Sequence, residues 1–195
     1  MEEVDDAQKT IYVTRAFGGV PPLFSGGPGR THTRVRQRLR DLLRGEDVPA
    51  YLDVTAQKFL SEARDEYERQ GLEKKVVIDQ GHEVMLLTWL GDAANEALAC
   101  LFLRRGFTAM AAGPGVEVHK KAGGVQEVLD VLDDLAVEEA PELDILLEDV
   151  KNLAREKWDW ALPDGLLRKA YASQYLDLPE AAEWLKAVGQ AQAGS

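Results

Sequence analysis

The alternation of β-branched and aromatic residues with polar ones in KTIYVTRAF, ending at Gly18-Gly19, predicts a strand over residues 10–17. A Gly/Pro-rich loop, GGVPPLFSGGPGR, leads from it into THTRVRQRLRDLLR. On a helix starting near Thr31, Val35, Leu39, Leu42 and Leu43 share one stripe, so that stripe is expected to be buried, with the arginines outward. A second amphipathic helix is expected over 53–71, with Asp53 as N-cap, Ala56, Phe59, Leu60, Ala63 and Tyr67 inward, and Gly71 as its stop. KKVVIDQGHEVMLLTWL reads as two strands about the turn Asp79-Gln80-Gly81-His82. GDAANEALACLFLRRG, capped by Asp92 and closed by Gly106, is apolar nearly all round and predicts a central helix. FTAMAAGPGVEVHKK gives a second hairpin about Gly113-Pro114-Gly115, with Val116 and Val118 on one face.

From Gly124 onward the periodicity is helical only. GVQEVLDVLDDLA and PELDILLEDVKNLAREKWDWAL each predict a helix, and DLPEAAEWLKAV closes with a capping box from Asp177 to Glu180. GQAQAGS is expected to fray. The fold class is therefore α+β: a mixed or antiparallel sheet with helices packed on it, then an all-helical part. We divide the chain into a sheet-containing part, residues 1–121, and an acidic helical part, residues 122–195, within one compact unit.

Charge changes this picture at one place. The chain carries a formal charge of −11, and residues 124–164 hold 13 acids against 3 bases. Yet Arg15, Arg30, Arg34, Arg36, Arg38, Arg40 and Arg44 stand against one acid, Asp41, in residues 15–44. Such a local excess fits a polyanionic partner, and the helix's first N–H groups add to it. The same arginines also fit a solvated face, or pairing with the chain's own acidic half.

Catalytic chemistry finds little support. Gly29-Arg30-Thr31 resembles the end of a phosphate-binding P-loop, but Phe24 replaces the first glycine and Arg30 the lysine. His32, His82 and His119 fall on three elements without metal-ligand spacing. Cys100, the single cysteine, sits in ALACLFL and reads as a buried hydrophobe, in keeping with a reducing, cytoplasmic setting. No apolar run reaches the roughly 20 residues needed to span a bilayer. Trp158 and Trp184 are expected in the core, whereas Trp89, at a strand end before Gly91, is a candidate groove lining and stacking platform for a base.

Four segments, FGGVPPLFSGGPGRTHTRVRQRLRDLL, YLDVTAQKFLSEARDEYERQGL, LLTWLGDAANEALACLFLRRG and LAREKWDWALPDGLLRKAYASQYLDL, occur in an order that resembles the region after the two motor domains of Lhr-like and related DEAD/DEAH-box superfamily 2 helicases. The likeness spans about residues 10 to 178. It implies a carboxy-terminal accessory domain, non-catalytic by itself, with ATP and magnesium belonging to motor domains outside this chain. Single-stranded or unwinding DNA or RNA would be its partner, contacted without sequence preference through Arg30, His32, Arg34, Arg36, Arg38, Arg40 and Trp89. Asp92 and Ala93 stand where such proteins often carry a basic or polar residue, which moves phosphate away from that turn. The alternative is an acidic protein-interaction module that docks the motor core or another protein.

Overall fold

A computed structural model describes residues 3–5, 10–12 and 29–193. Two short strands, β1 (Glu3–Asp5) and β2 (Thr10–Tyr12), pair antiparallel. The expected strand over 10–17 is therefore seen at its start; residues 13–17 and the Gly/Pro loop up to Pro28 lie outside the described residues.

The main sheet is built from β3 (Val77–Asp79), β4 (Glu83–Leu87), β5 (Ala109–Ala112) and β6 (Gly115–His119), in the order β3-β4-β6-β5, all antiparallel. Both hairpins expected from turn chemistry form. Gly81 takes a positive φ and its N–H donates to the Asp79 carboxylate at 2.9 Å, closing the first turn. Val84 pairs with Val118 and Leu86 with Val116, and all four are fully buried, so one face of the sheet is a continuous apolar floor.

On that floor lies α3 (Asp92–Arg104), buried from Ala94 through Phe102 on nearly every side, which makes it the central helix. Its outer side is covered by α5 (Leu143–Leu146), α6 (Asp164–Tyr175) and α7 (Leu178–Ala193), while α4 (Gly124–Val137) packs on α7. A single hydrophobic cluster runs from Val84 on the sheet to Val188 on α7.

The long helix expected from PELDILLEDVKNLAREKWDWAL is a correction: only α5 and a 3-10 turn at Asp159–Ala161 form. Asn152 adopts a left-handed φ of 62°, and the Asp159 carboxylate accepts the Arg155 and Glu156 N–H groups at 2.9 and 2.8 Å. Those local bonds compete with the helical ladder. Trp158 accordingly lies outside the core at 66% exposure, whereas Trp184 packs against it as expected.

Two helices stand apart from the sheet: α1 (Thr33–Arg44) and α2 (Val54–Arg69), which pack on each other. The α2 caps agree with the sequence, Asp53 accepting the Ala56 N–H at 2.8 Å, but Phe59 and Ala63 face solvent.

Candidate nucleic-acid interface

The orientation of α1 departs from the expectation in part: Leu42 and Leu43 are half-buried, but Val35 and Leu39 are turned to solvent. Val35 is 60% exposed and Leu39 48%, while Thr33 is buried and the Arg36 side chain is only 11% exposed. Thr33, Arg36, Arg40 and Arg44 recur at three- and four-residue spacing, so they form a stripe as regular as the apolar one. Thr33, Arg36 and Arg40 of that stripe face the body because the body supplies partners for them, while Arg44 is exposed and pairs with Glu73 at 2.8 Å.

Those partners gather at the turn between β4 and α3. The Gly91 N–H donates to the Thr33 hydroxyl at 2.6 Å, and that hydroxyl donates to Glu180 of α7 at 2.6 Å. Thr31 and Asp92 exchange two bonds: the Thr31 N–H reaches the Asp92 carboxylate at 2.7 Å, and the Asp92 N–H reaches the Thr31 carbonyl at 3.0 Å. Arg36 bonds the Leu90 carbonyl at 2.6 Å and forms an ion pair with Asp92. Asp92 is thus the anchor of α1, not the N-cap of α3, a position held by Gly91. Thr88 and Asn95 tie the turn from inside, hydroxyl to side-chain oxygen at 2.6 Å.

Trp89, in the middle of this turn, has a left-handed φ of 57° and is 6% exposed. Its ring meets Tyr67 of α2 edge-on with centroids 6.1 Å apart, and Arg40 lies over it at 5.6 Å. It is a buried wedge between the α1–α2 pair and the sheet; its indole N–H has no partner among the described residues.

The site residues named from sequence therefore divide into two groups. Arg36, Arg40 and Trp89 face inward, Arg40 donating to the Glu73 carbonyl at 2.8 Å and toward the Tyr67 hydroxyl. Burial and the Glu73 carboxylate, opposed by the Arg40 guanidinium, leave that tyrosine above its ordinary pKa, so it stays a donor to Glu73 at 2.9 Å. Arg30 lies over the Tyr175 ring at 3.7 Å and bonds the Gln174 carbonyl. His32, Arg34 and Arg38 face outward. The His32 ring nitrogen Nδ1 accepts the Arg34 N–H at 3.1 Å and so caps α1. Neither Arg34 nor Arg38 forms an ion pair among the described residues.

Sequence reasoning missed Thr33, Tyr67, Glu73 and Glu180 as partners of the basic segment. The available signal was the second stripe on α1, regular enough to name a polar inward face. Among the described residues no three His, Cys, Asp or Glu side chains converge in a way that could hold a metal ion, and no helix is long and apolar enough to cross a membrane. No protein-family model matches the chain, and neither a curated protein nor a solved structure shows detectable similarity to it.

Proposed function

We propose that the chain is a non-catalytic, cytoplasmic accessory domain of an ATP-dependent helicase, guiding single-stranded or unwinding nucleic acid by sequence-independent phosphate contacts. One observation carries the reading: the four segments on which the helicase resemblance rests meet at one junction. Thr33 of the first, Tyr67 of the second, Gly91 of the third and Tyr175 of the fourth all lie within one contact of the Trp89 turn or of the chain leading into α1. On the outer side of that junction α1 presents Arg34 and Arg38, one helical turn apart, next to His32. ATP, magnesium and the force-generating chemistry belong to motor domains in the parent protein.

The test is titration of a labelled oligonucleotide at low and at physiological salt. Binding is expected to weaken with salt, and the double substitution Arg34→Glu, Arg38→Glu to flatten the log–log salt slope by about 1.4, the contribution of two single-strand phosphate contacts. Affinity indifferent to both salt and the double substitution removes the reading. Arg36→Glu is no substitute for this test, because Arg36 holds the fold.

A second reading is a protein-interaction module, favoured by the large apolar side chains left in solvent. Val35, Leu39, Val54 and Phe59 on the α1–α2 pair, and Trp158 and Trp160 in the acidic half, are all exposed. Salt-tolerant association with separately purified helicase motor domains, without oligonucleotide binding, would select it.

A further inference from the structure

Beside the junction, a groove of about 670 Å3 is lined by Arg30, Asp92, Glu96, Arg155, Glu156 and Tyr175. It joins the chain entering α1, the first turns of α3 and the acidic half. Its three carboxylates are already engaged. Glu96 accepts from Arg155 at 2.9 Å and from the Tyr171 hydroxyl at 2.6 Å; Glu156 accepts from the Tyr175 hydroxyl at 2.6 Å; Asp92 holds Thr31 and Arg36. The hydrogen bond to Glu156, with a smaller part from burial, pushes the Tyr175 hydroxyl up, so it stays protonated and keeps that carboxylate occupied.

The two cations are less fully used. Arg30 spends one terminal nitrogen on the Gln174 carbonyl, and Arg155 spends one on Glu96 and Tyr171. Arg30 also reaches the Tyr175 hydroxyl, while the remaining side-chain N–H groups of Arg155 have no hydrogen-bond partner among the described residues. Both guanidinium groups address the same ring, Arg30 at 3.7 Å and Arg155 at 5.5 Å from the Tyr175 centroid. Behind it Tyr171 stacks on Tyr175 with centroids 5.1 Å apart and planes 21° from parallel. The groove thus offers a backed aromatic plane with a planar cation over it, and a second donor at its side. A base with its phosphate needs those elements, and every base has a face that stacks.

We infer that this groove takes one unpaired nucleobase, stacked on Tyr175 between that ring and the Arg30 guanidinium, with Arg155 on the adjoining phosphate. The inference rests on the strand-guiding reading and gives it a location. Arg30 lies three residues before the first residue of α1, so a strand crossing Arg34 and Arg38 arrives at the groove. Arg30 sits in irregular chain, and to admit a base its guanidinium must rise from the Tyr175 face, where the ring and the Gln174 carbonyl hold it. Asp92 and Glu96 are ion-paired, whereas Glu156 is bonded only by a neutral hydroxyl and keeps its charge, so phosphate is directed to Arg155 and away from Glu156.

The experiment titrates the full chain and its Tyr175→Phe, Tyr175→Leu and Tyr175→Trp variants with a labelled single strand, a blunt duplex of the same sequence and a nucleoside monophosphate. Tyr175→Phe, which keeps the stacking face but frees the Glu156 carboxylate, is expected to lose less single-strand affinity than Tyr175→Leu. Tyr175→Leu is expected to lose about tenfold, the effect of one lost base–aromatic stack, with duplex affinity unchanged. In Tyr175→Trp the added indole fluorescence should fall on binding, a readout that needs no loss of packing against Tyr171. Monophosphate binding abolished by Tyr175→Leu also supports the site, with a free nucleotide as its source; competition by the oligonucleotide alone assigns it to a strand. If wild type binds the single strand and Tyr175→Leu binds it equally, with no quench in Tyr175→Trp, the groove inference is overturned and strand guidance stands. If wild type binds none of the three probes, both are overturned.

Discussion

Arg36 and Arg34 are two residues apart on one helix and have opposite roles. Arg36 is nearly buried, holds the Leu90 carbonyl and pairs with Asp92, so truncating it strands a carboxylate and a carbonyl beside the turn. Hydrogen bonds to charged groups of this kind are worth about 2 kcal/mol net. Arg36→Ala is therefore expected to lower unfolding free energy by about that much in urea denaturation, through a shift in midpoint at constant slope. Arg34→Ala and Arg38→Ala, on the exposed side, should stay within about 0.5 kcal/mol of wild type. Equal effects at all three positions would refute the inward orientation of the Arg36 stripe. The asymmetry also orders the functional tests, since only the outward pair can be changed without disturbing what holds α1.

At the scale of elements, the attachment of α1 depends on how closely two backbones approach. A Cβ on Gly91 would meet the Thr33 nitrogen at 2.7 Å and the Thr31 carbonyl oxygen at 2.9 Å, backbone atoms that cannot rotate away. Gly91→Ala must push α1 off the turn, costing about 2 kcal/mol by the usual penalty for overpacking. Amide exchange is expected to speed up across residues 33–44 and not in β4 or β6, and unchanged exchange in α1 would contradict this account. The elements legible in sequence are those whose cause is local. The two hairpins follow from turn residues, and α3 from an apolar surface too wide for anything but a core. The broken stretch after α5 was not legible, because helical spacing is present and is overridden by the Asp159 carboxylate and a left-handed Asn152. Nor was the inward face of α1, because hydrophobicity chooses the apolar stripe and only distant groups, Leu90, Asp92 and Glu180, reverse the choice at Val35 and Leu39. The candidate site was legible as a basic segment near a Trp-Gly turn. Which arginines remain outside depended on contacts 27 to 147 residues away in sequence.

Over the whole molecule, the sheet and the acidic helical half share one core, and the acid–base chemistry of that core lies where they meet. Cys100 on α3 is pushed up to about 12, first by burial and then by the nearby Glu96 carboxylate. Tyr171 on α6 is raised by burial and by its hydrogen bond to the same Glu96. Both groups are neutral in the folded chain at pH values where the unfolded chain begins to ionise them, from ordinary values of 9.0 and 10.0. The folded state then binds more protons than the unfolded one, so stability must fall as pH rises above 9.0 and keep falling toward 12. Tyrosines and lysines in general titrate over the same range, so a falling urea midpoint by itself does not isolate the core. The comparison that does is Cys100→Ala, which removes the earliest of these protons: its midpoint should fall less steeply than wild type just above pH 9.0, with the two curves diverging further as pH rises. In the native protein at mildly alkaline pH, Cys100 should resist a thiol reagent and become labelled only at the rate of unfolding, because the thiolate is the nucleophile and the fold withholds it. Rapid native-state labelling, or parallel pH curves for the two proteins, would show that the seam between sheet and helices is open to water, and the shared core would then have to be redrawn as two.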